Sequence, residues 1–510
     1  MNIIEIYKNK KLKALQGGGQ ERIKRQKQSG KYTATQRLNM LLDAESFEQI
    51  DQLVTSPFSS NKNYTDGVIT GFGKIDGKKV AIYAQDFTIR GGSIGKHHAK
   101  KICKIMDMAA KIGCPIIGLI DSGGARIEEG IHGLKGVGEI FLRNVRYSGI
   151  IPQISVILGP CAAGATYSPA LTDFIFTTEK ISHMFVTGPV VISKVLHQTI
   201  TKENLGGSKI HNQFSGVSHI ESQNEQECFF KVKTLFSYLP NNYLSQEETS
   251  KNYFEEPEKI NLEKIVPDKI NKSYDIKDII NGIFDKNSFF EIHKYFAQNI
   301  VVGFAKLAGY VIGVVANQPL IKAGTLDIDS SCKAARFIRF CDSFSIPIIS
   351  LVDVPGFLPG IDQEHNGIIK HGAKLIYAYA QATVPKITVV LRKAYGGAYI
   401  VMGSKHLASD FNFAWPTAQI AVMGAKGAIA ILNGKELNKI GNIQEKEKLQ
   451  KELEQKYEEK YLNPFQAAEY GYIDSIIEPN KTRKHLISSL IISKDKVELL
   501  PKKKHGNIPL

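Results

Sequence analysis

Two glycine-rich turns hold the residues best placed to do chemistry: Cys161-Ala162-Ala163-Gly164-Ala165-Thr166 and Ala394-Tyr395-Gly396-Gly397-Ala398-Tyr399. Each follows a continuous apolar run, PQISVILG in one case and PKITVVLR in the other. A glycine behind a buried strand lets backbone N–H groups approach a ligand oxygen with no side chain in the way. Two such donors at a helix N-terminus make an oxyanion hole. Ala163 with Gly164, and Gly397 with Ala398, are the candidate donor pairs. For either turn alone, glycine needed only for packing is the competing reading. Two further turns, Asp121-Ser122-Gly123-Gly124-Ala125-Arg126 and Asp353-Val354-Pro355-Gly356, end the apolar runs PIIGLI and PIISLV. The first could bind a phosphate or pantetheine through its N–H groups and Arg126. A helix cap by Asp121 or Ser122 would look the same, and the Asp353 turn has the same ambiguity.

Other motifs fail. Gly95-Lys96 lacks the earlier P-loop glycine, because Arg90 stands there, and His97 replaces the Ser or Thr. No nucleophile-elbow serine is expected, and no His-Glu-x-x-His zinc site is present. No metal site is expected. His132, His183 and His371 have no titratable neighbour at a diagnostic spacing, which favours structural roles. The six cysteines form no Cys-x-x-Cys pair and read as buried thiols in a reducing compartment. There is no Met-Lys-Met tripeptide for biotin attachment and no recognisable ATP-binding module.

The elements that carry these turns occur twice. Asp43-x-x-Ser46-Phe47-x-x-Ile50 matches Asp285-x-x-Ser288-Phe289-x-x-Ile292. A constant offset of 232 then pairs Gly71 with Gly303, Gly92 with Gly324, Pro115 with Pro347, Asp121 with Asp353, Gly124 with Gly356 and Gly164 with Gly396. Each copy reads as an α/β unit: a short strand (KKVAIYAQ; YVIGVVANQ), a helix (AKKICKIMDMAAKIG; SCKAARFIRFCDSF), then two buried parallel strands. Ligands bind at the carboxyl ends of such strands, where the turns lie. The polar stretch from about 240 to 265 reads as the linker, and EKEKLQKELEQKYEEKY as an exposed helix that Pro464 interrupts.

The chain of 510 residues is too long for one ordinary core. It has no run of about 18 apolar residues, so no membrane span is expected. The N-terminus MNIIEIYKNKK has no apolar signal core, which points to the cytoplasm. The net charge of +15 is spread as lysine, with Lys502-Lys503-Lys504 the only tight cluster. No nucleic-acid-binding motif accompanies it.

At these residues a resemblance appears. The stretches GGGQERIKRQ, AQDFTIRGGS, DSGGARIEEG, PQISVILGPCAAGATYSPALTDF, LVDVPGFLPGIDQEHNGIIKHGAKLIYAYAQATVPKITVVLRKAYGGAY and AWPTAQIAVMGAKGA resemble the carboxyltransferase subunits of biotin-dependent acyl-CoA carboxylases, most nearly the propionyl-CoA carboxylase β chains. The resemblance runs from about residue 16 to 475. It implies two tandem crotonase-like domains, 1–260 on the acyl-CoA side and 261–510 on the biotin side. It implies dimers stacked into a hexamer, with each active site between the N-half of one subunit and the C-half of another. Biotin arrives on a biotin carboxylase and carrier α subunit. Carboxybiotin releases CO2, and the anion left behind removes the α-proton of the thioester. Ala163 and Gly164 would serve the thioester enolate, and Gly397 and Ala398 the biotin. Ser122, Gly123, Gly124, Ala125, Arg126, Tyr167 and Ile400 would line the substrate, and Asp353, Pro355, Gly356 and Gly396 the biotin.

Two departures matter. The family often has glycine where this chain has Ala163, and its propionyl-selective members often have aspartate at Ile400. An acetyl-accepting or broad short-chain enzyme is the alternative, as is a decarboxylase or transcarboxylase subunit of the same fold. An enoyl-CoA hydratase would need a pair of positioned carboxylates, which the turns do not offer. A non-catalytic acyl-CoA scaffold would lack free-biotin-dependent decarboxylation of malonyl- or methylmalonyl-CoA. The purified chain is predicted to carry no covalent biotin and no ATPase activity. A streptavidin blot with a band at the mass of this chain would contradict that.

Overall fold

In each copy the chain enters its sheet through a hairpin. β1 (Glu48–Ile50) pairs antiparallel with β2 (Val68–Ile75), which turns at Asp76-Gly77 into β3 (Lys78–Gln85). A two-residue hairpin turn of this kind needs positive φ at both residues, and φ is 48° at Asp76 and 80° at Gly77. The motif repeated in the sequence finds its reason here. The Asp43 carboxylate accepts from Asp76 N (3.0 Å) and Gly77 N (2.9 Å), and Ser46 Oγ accepts from Lys74 N (3.1 Å). In the second copy Asp285 accepts from Ala308 N (2.9 Å) and Gly309 N (2.8 Å), and Ser288 Oγ from Lys306 N (3.0 Å). The repeated aspartate and serine bracket a hairpin.

The computed structural model describes residues 2–58, 63–245, 255–267 and 269–509. The chain divides into two compact units, Met1–Gln246 and Glu247–Leu510. Much of the polar stretch read as the linker, 246–254, lies outside the described residues.

Beyond β3 the first sheet becomes parallel. β4 (Ile116–Ser122), β5 (Gln153–Ala162) and β6 (Phe174–Thr178) follow in order, β7 (His183–Phe185) pairs with the end of β5, and β8 (Ile220–Ser222) flanks β6. The second unit repeats the plan with β9 (Phe290–Ile292), β10 (Ile300–Leu307), β11 (Tyr310–Asn317), β12 (Ile348–Val354), β13 (Lys386–Tyr395), β14 (Phe411–Ala414), β15 (Gln419–Ala421) and β16 (Ser475–Ile476). Parallel neighbours need crossovers. Helices Lys96–Ile112 and Ile131–Tyr147 supply them in the first unit, Ile328–Ser343 and Ile368–Gln381 in the second. β4 and β12 are buried at every residue, so their sequences show no polar alternation.

Buried lysines tie the first crossover helix of each unit to the loop before β2 or β10. Lys101 Nζ donates to Thr65 O (2.9 Å) and Val68 O, and Lys333 Nζ to the carbonyls of His293, Phe296, Ala297 and Ile300 at 2.7–3.3 Å. Burial pulls both ammonium groups down to about 7. In the second unit the indole of Trp415 is fully buried and donates to Thr482 Oγ1 at 2.9 Å.

Strand register corrects the repeat. Ile116 pairs with Gln153, but Ile348 pairs with Lys386, so one more residue separates β12 from β13 than β4 from β5. Along β5 the offset is 233, and carried into the turn that follows it makes Gly164 correspond to Gly397 rather than Gly396. The charged stretch forms the helix Ile443–Tyr461, with no buried residue, and Phe465–Glu469 follows Pro464. Among the described residues no helix is long and apolar enough to cross a membrane.

Candidate active site

The carboxyl ends of β4 and β5 in the first unit, and of β12 and β13 in the second, carry the turns. Behind them lie buried charges. Asp121, at the end of β4, is fully buried and meets Arg37 Nη1 at 2.8 Å and Lys31 Nζ at 2.9 Å. Arg37 also binds Glu225 through Nε (2.7 Å) and Leu158 O through Nη2 (2.6 Å). Burial opposes its charge, but Asp121 and Glu225 outweigh burial and hold the guanidinium above its ordinary range. Gly159 is required here: a Cβ on it would stand 1.9 Å from Asp121 Oδ1. Its counterpart on β13 is Arg392, which pairs with the buried Asp353 through Nε at 3.0 Å.

This geometry corrects several expectations. Arg126 is buried, and its five N–H donors reach Asp66 Oδ1 (2.7 Å), Glu129 Oε1 (2.8 Å), Asp66 O (3.3 Å), Ser93 O (2.9 Å) and Ser93 Oγ (3.2 Å). None is left for a substrate phosphate. Burial lifts the Asp66 carboxyl above its usual range, with Arg126 pulling against it. Gly123 N donates to Gly91 O (3.0 Å), Gly124 N to Ser122 Oγ (3.1 Å) and Arg126 N to Ile94 O (2.9 Å), so this turn closes on itself instead of gripping an anion. Both Asp353 carboxylate oxygens likewise already have protein donors, Arg392 Nε at 3.0 Å and Lys393 N at 3.1 Å. Pro355 and Gly356 are half-buried and Gly123 is exposed, so they and Ala125 shape the surface by contour. Gly91-Gly92-Ser93-Ile94-Gly95 does have nucleophile-elbow spacing, contrary to the sequence reading. Its Ser93 accepts from Arg126, and the motif does not follow a strand directly.

The donor turns remain open. Ala163 opens the turn Ala163–Thr166 with φ 54°, and Gly396 opens the helix Gly396–Val401 with φ 56°. The opening N–H groups of a helix have no intrahelical acceptor. Gly164 and Gly397 are exposed, and a Cβ on either would meet no atom within 4 Å. By register the match for Gly397-Ala398 is Gly164-Ala165, and Ala163 matches Gly396. Tyr167 and Ile400 are also counterparts, 50% and 41% exposed, so Ile400 is not a core residue. Tyr399, behind the second turn, is buried, which pushes its phenol up to about 12.

A basic cavity went unread in the sequence. It measures about 400 Å³ and is lined by Arg22, Arg25, Lys31, Phe87, Arg90 and Gly91, among others. Lys31 Nζ lies 4.2 Å from the Phe87 ring centroid. Arg22 and Arg25, three apart on the helix Gln20–Gln28, were the available signal, but Phe87 and Arg90 join them only through folding. Gly91, which accepts from Gly123 N, links the cavity to the β4 turn. His183 meets Glu203 at 3.2 Å and His371 meets Cys332 Sγ at 3.1 Å, titratable partners that local spacing does not disclose. Among the described residues no group of three or more His, Cys, Asp or Glu could hold a metal ion.

Two tandem crotonase-like units with main-chain donor turns define an enzyme subunit of the carboxyltransferase class. The chain belongs to the carboxyl transferase domain family, which it matches over residues 25–508. It is 52% identical over 514 residues to the propionyl-CoA carboxylase carboxyltransferase subunit of Haloferax mediterranei, with 99% of each chain covered. It is 49% identical over 520 residues to the mitochondrial propionyl-CoA carboxylase β chain of Homo sapiens, covering 100% of this chain and 94% of that one. The solved transcarboxylase 12S core with bound methylmalonyl-coenzyme A is 43% identical, with a TM-score of 0.94 over 99% of this chain and 98% of that one.

Arg37 tests the buried scaffold. Arg37→Met leaves Asp121 and Glu225 without their shared cation and should cost about 3–5 kcal/mol. Chemical denaturation measures this, and a loss below about 1 kcal/mol would show that the ion network is not what holds the turn.

Proposed function

We propose that this chain is the carboxyltransferase subunit of a propionyl-CoA carboxylase, moving a carboxyl group from carboxybiotin to the α-carbon of propionyl-CoA to give methylmalonyl-CoA. The observation that carries this reading is the pair of exposed main-chain donor turns, one per unit, each above a buried ion pair. The identity of about half the residues to propionyl-CoA carboxylase subunits supports it.

On this reading the first unit takes the acyl-CoA. The Ala163 and Gly164 N–H groups hold the thioester oxygen as it gains negative charge, and the basic cavity seats the phosphates of coenzyme A. In the second unit the Gly397 and Ala398 N–H groups hold the ureido oxygen of biotin. The fit is steric and electrostatic: the space above Gly397 is empty of protein atoms, and a helix N-terminus favours a developing anion. Biotin is carried on a partner α subunit, not attached to this chain, and supplies both the carboxyl group and the base that takes the α-proton. The turns therefore need to supply only donors, and losing one such donor typically costs ~10²–10³ in rate. Copies of the chain form dimers stacked into a hexamer in the cytoplasm. The transcarboxylase 12S core, described as a hexamer, supports that assembly.

A second reading, an acetyl-accepting or broad short-chain carboxylase, is favoured by the exposed apolar side chain at Ile400. Reconstitution with the biotin-bearing subunit, comparing acetyl-, propionyl- and butyryl-CoA, decides between them. No carboxylation of any of the three would remove both.

Gly397→Pro deletes a donor N–H. It should lower carboxyl transfer about 10²–10³-fold while leaving acyl-CoA affinity intact. Collapse of both in a folded variant would refute the division of roles between the units. Ile400→Asp should shift the propionyl-to-acetyl ratio of kcat/KM by about tenfold. Because Ile400 is exposed, the melting temperature should stay put. An unchanged ratio would assign acyl choice elsewhere.

A further inference from the structure

We propose that the Ala163 methyl is a specificity-determining group that narrows the cleft between the β4 and β5 turns and selects against acyl chains longer than propionyl. This rests on the reading that the first unit's donor turn holds the acyl thioester. The two copies supply an internal control. Register makes Ala163 the counterpart of Gly396, and the backbone is the same at both, with φ of 54° and 56°. Glycine takes that conformation without steric cost, whereas alanine brings its Cβ too close to the main chain. The first unit thus keeps a methyl where the backbone favours none.

Packing does not account for it, because Ala163 is exposed. Its position does. A Cβ on Gly124 would lie 3.8 Å from the Ala163 Cβ and 3.0 Å from Ala162 O, so the methyl stands across a narrow gap from the Ser122-Gly123-Gly124 turn. At the matching gap in the second unit both facing positions, Gly356 and Gly396, are glycines. A Cβ on Gly356 would meet no atom within 4 Å, and one on Gly396 would crowd Val422 O at 3.0 Å. Gly164, whose N–H faces the reacting oxygen on this reading, follows Ala163 directly. The α-carbon of an acyl thioester is one bond from the carbonyl carbon whose oxygen those donors hold. A substituent on it enters the gap beside the methyl, and each added carbon meets that wall sooner.

The test uses the reconstituted holoenzyme with its biotin-bearing subunit. Wild type, Ala163→Gly and Ala163→Ser are compared for kcat/KM with acetyl-, propionyl- and butyryl-CoA, beside melting curves. Ala163→Gly should raise the butyryl-to-acetyl ratio about tenfold and the melting temperature by about 2–4 °C. Ala163→Ser keeps the Cβ and adds a hydroxyl, and should leave the ratio unchanged or lower. A ratio unmoved in Ala163→Gly, an equal change in Ala163→Ser, or a folded but inactive Ala163→Gly overturns the assignment. A wild type that carboxylates no acyl-CoA overturns instead the reading beneath it.

Discussion

A carboxylate buried at the end of a central strand must be neutralised, and the two units solve this with arginines from different places. Asp353 takes Arg392 from the neighbouring strand β13. Asp121 takes Arg37 from the helix Ala34–Leu41, and the strand position that Arg392 fills in the second unit is Gly159 in the first. The glycine is the space through which the acid is reached. A buried acid left without its cation would face a large desolvation penalty, so β4 and β12 can end where they do only because these pairs form. The turns that follow inherit their positions from that constraint.

The buried charges and the exposed turns are thereby separated. The ionised groups Asp121, Arg37, Glu225, Asp66, Arg126 and Glu129 all lie behind the turns, hydrogen-bonded to one another or to carbonyls. In front stand main-chain N–H groups, small residues and the side chains of Tyr167 and Ile400. Arg126 shows how a motif can mislead in this arrangement. In sequence it is a cation beside two glycines, the pattern of an anion site. In the fold it is a clamp that joins the loop at Asp66 to the turn at Ser93.

The α/β plan and the duplication were legible because apolar runs and spaced glycines record strands and turns directly. Lys78–Gln85, Ile116–Ser122 and Gln153–Ala162 fall on runs visible in the sequence, as do Tyr310–Asn317, Ile348–Val354 and Lys386–Tyr395. The one-residue slip between copies was not legible, because Gly396 and Gly397 are adjacent and either satisfies a glycine match. The use of each donor and acceptor was hidden as well. Spacing shows that Ser122, Gly123 and Gly124 form a turn, but not that their N–H groups face Gly91 and Ser122 Oγ. The basic cavity escaped for the same reason, since Arg22 and Arg90 are 68 residues apart and meet only in the fold.

The donors exposed in these turns belong to the main chain, and that shapes how the chain can diverge. Every residue but proline offers the same N–H, so most substitutions at Gly164 or Gly397 would alter the contour around the group without deleting it. Selection can therefore explore the shape of the cleft while its hydrogen-bonding chemistry is conserved by the backbone itself. On the function proposed above, such an enzyme separates what it does from what it accepts: the reaction is written in peptide groups, and the choice of molecule in the few side chains that overlook them.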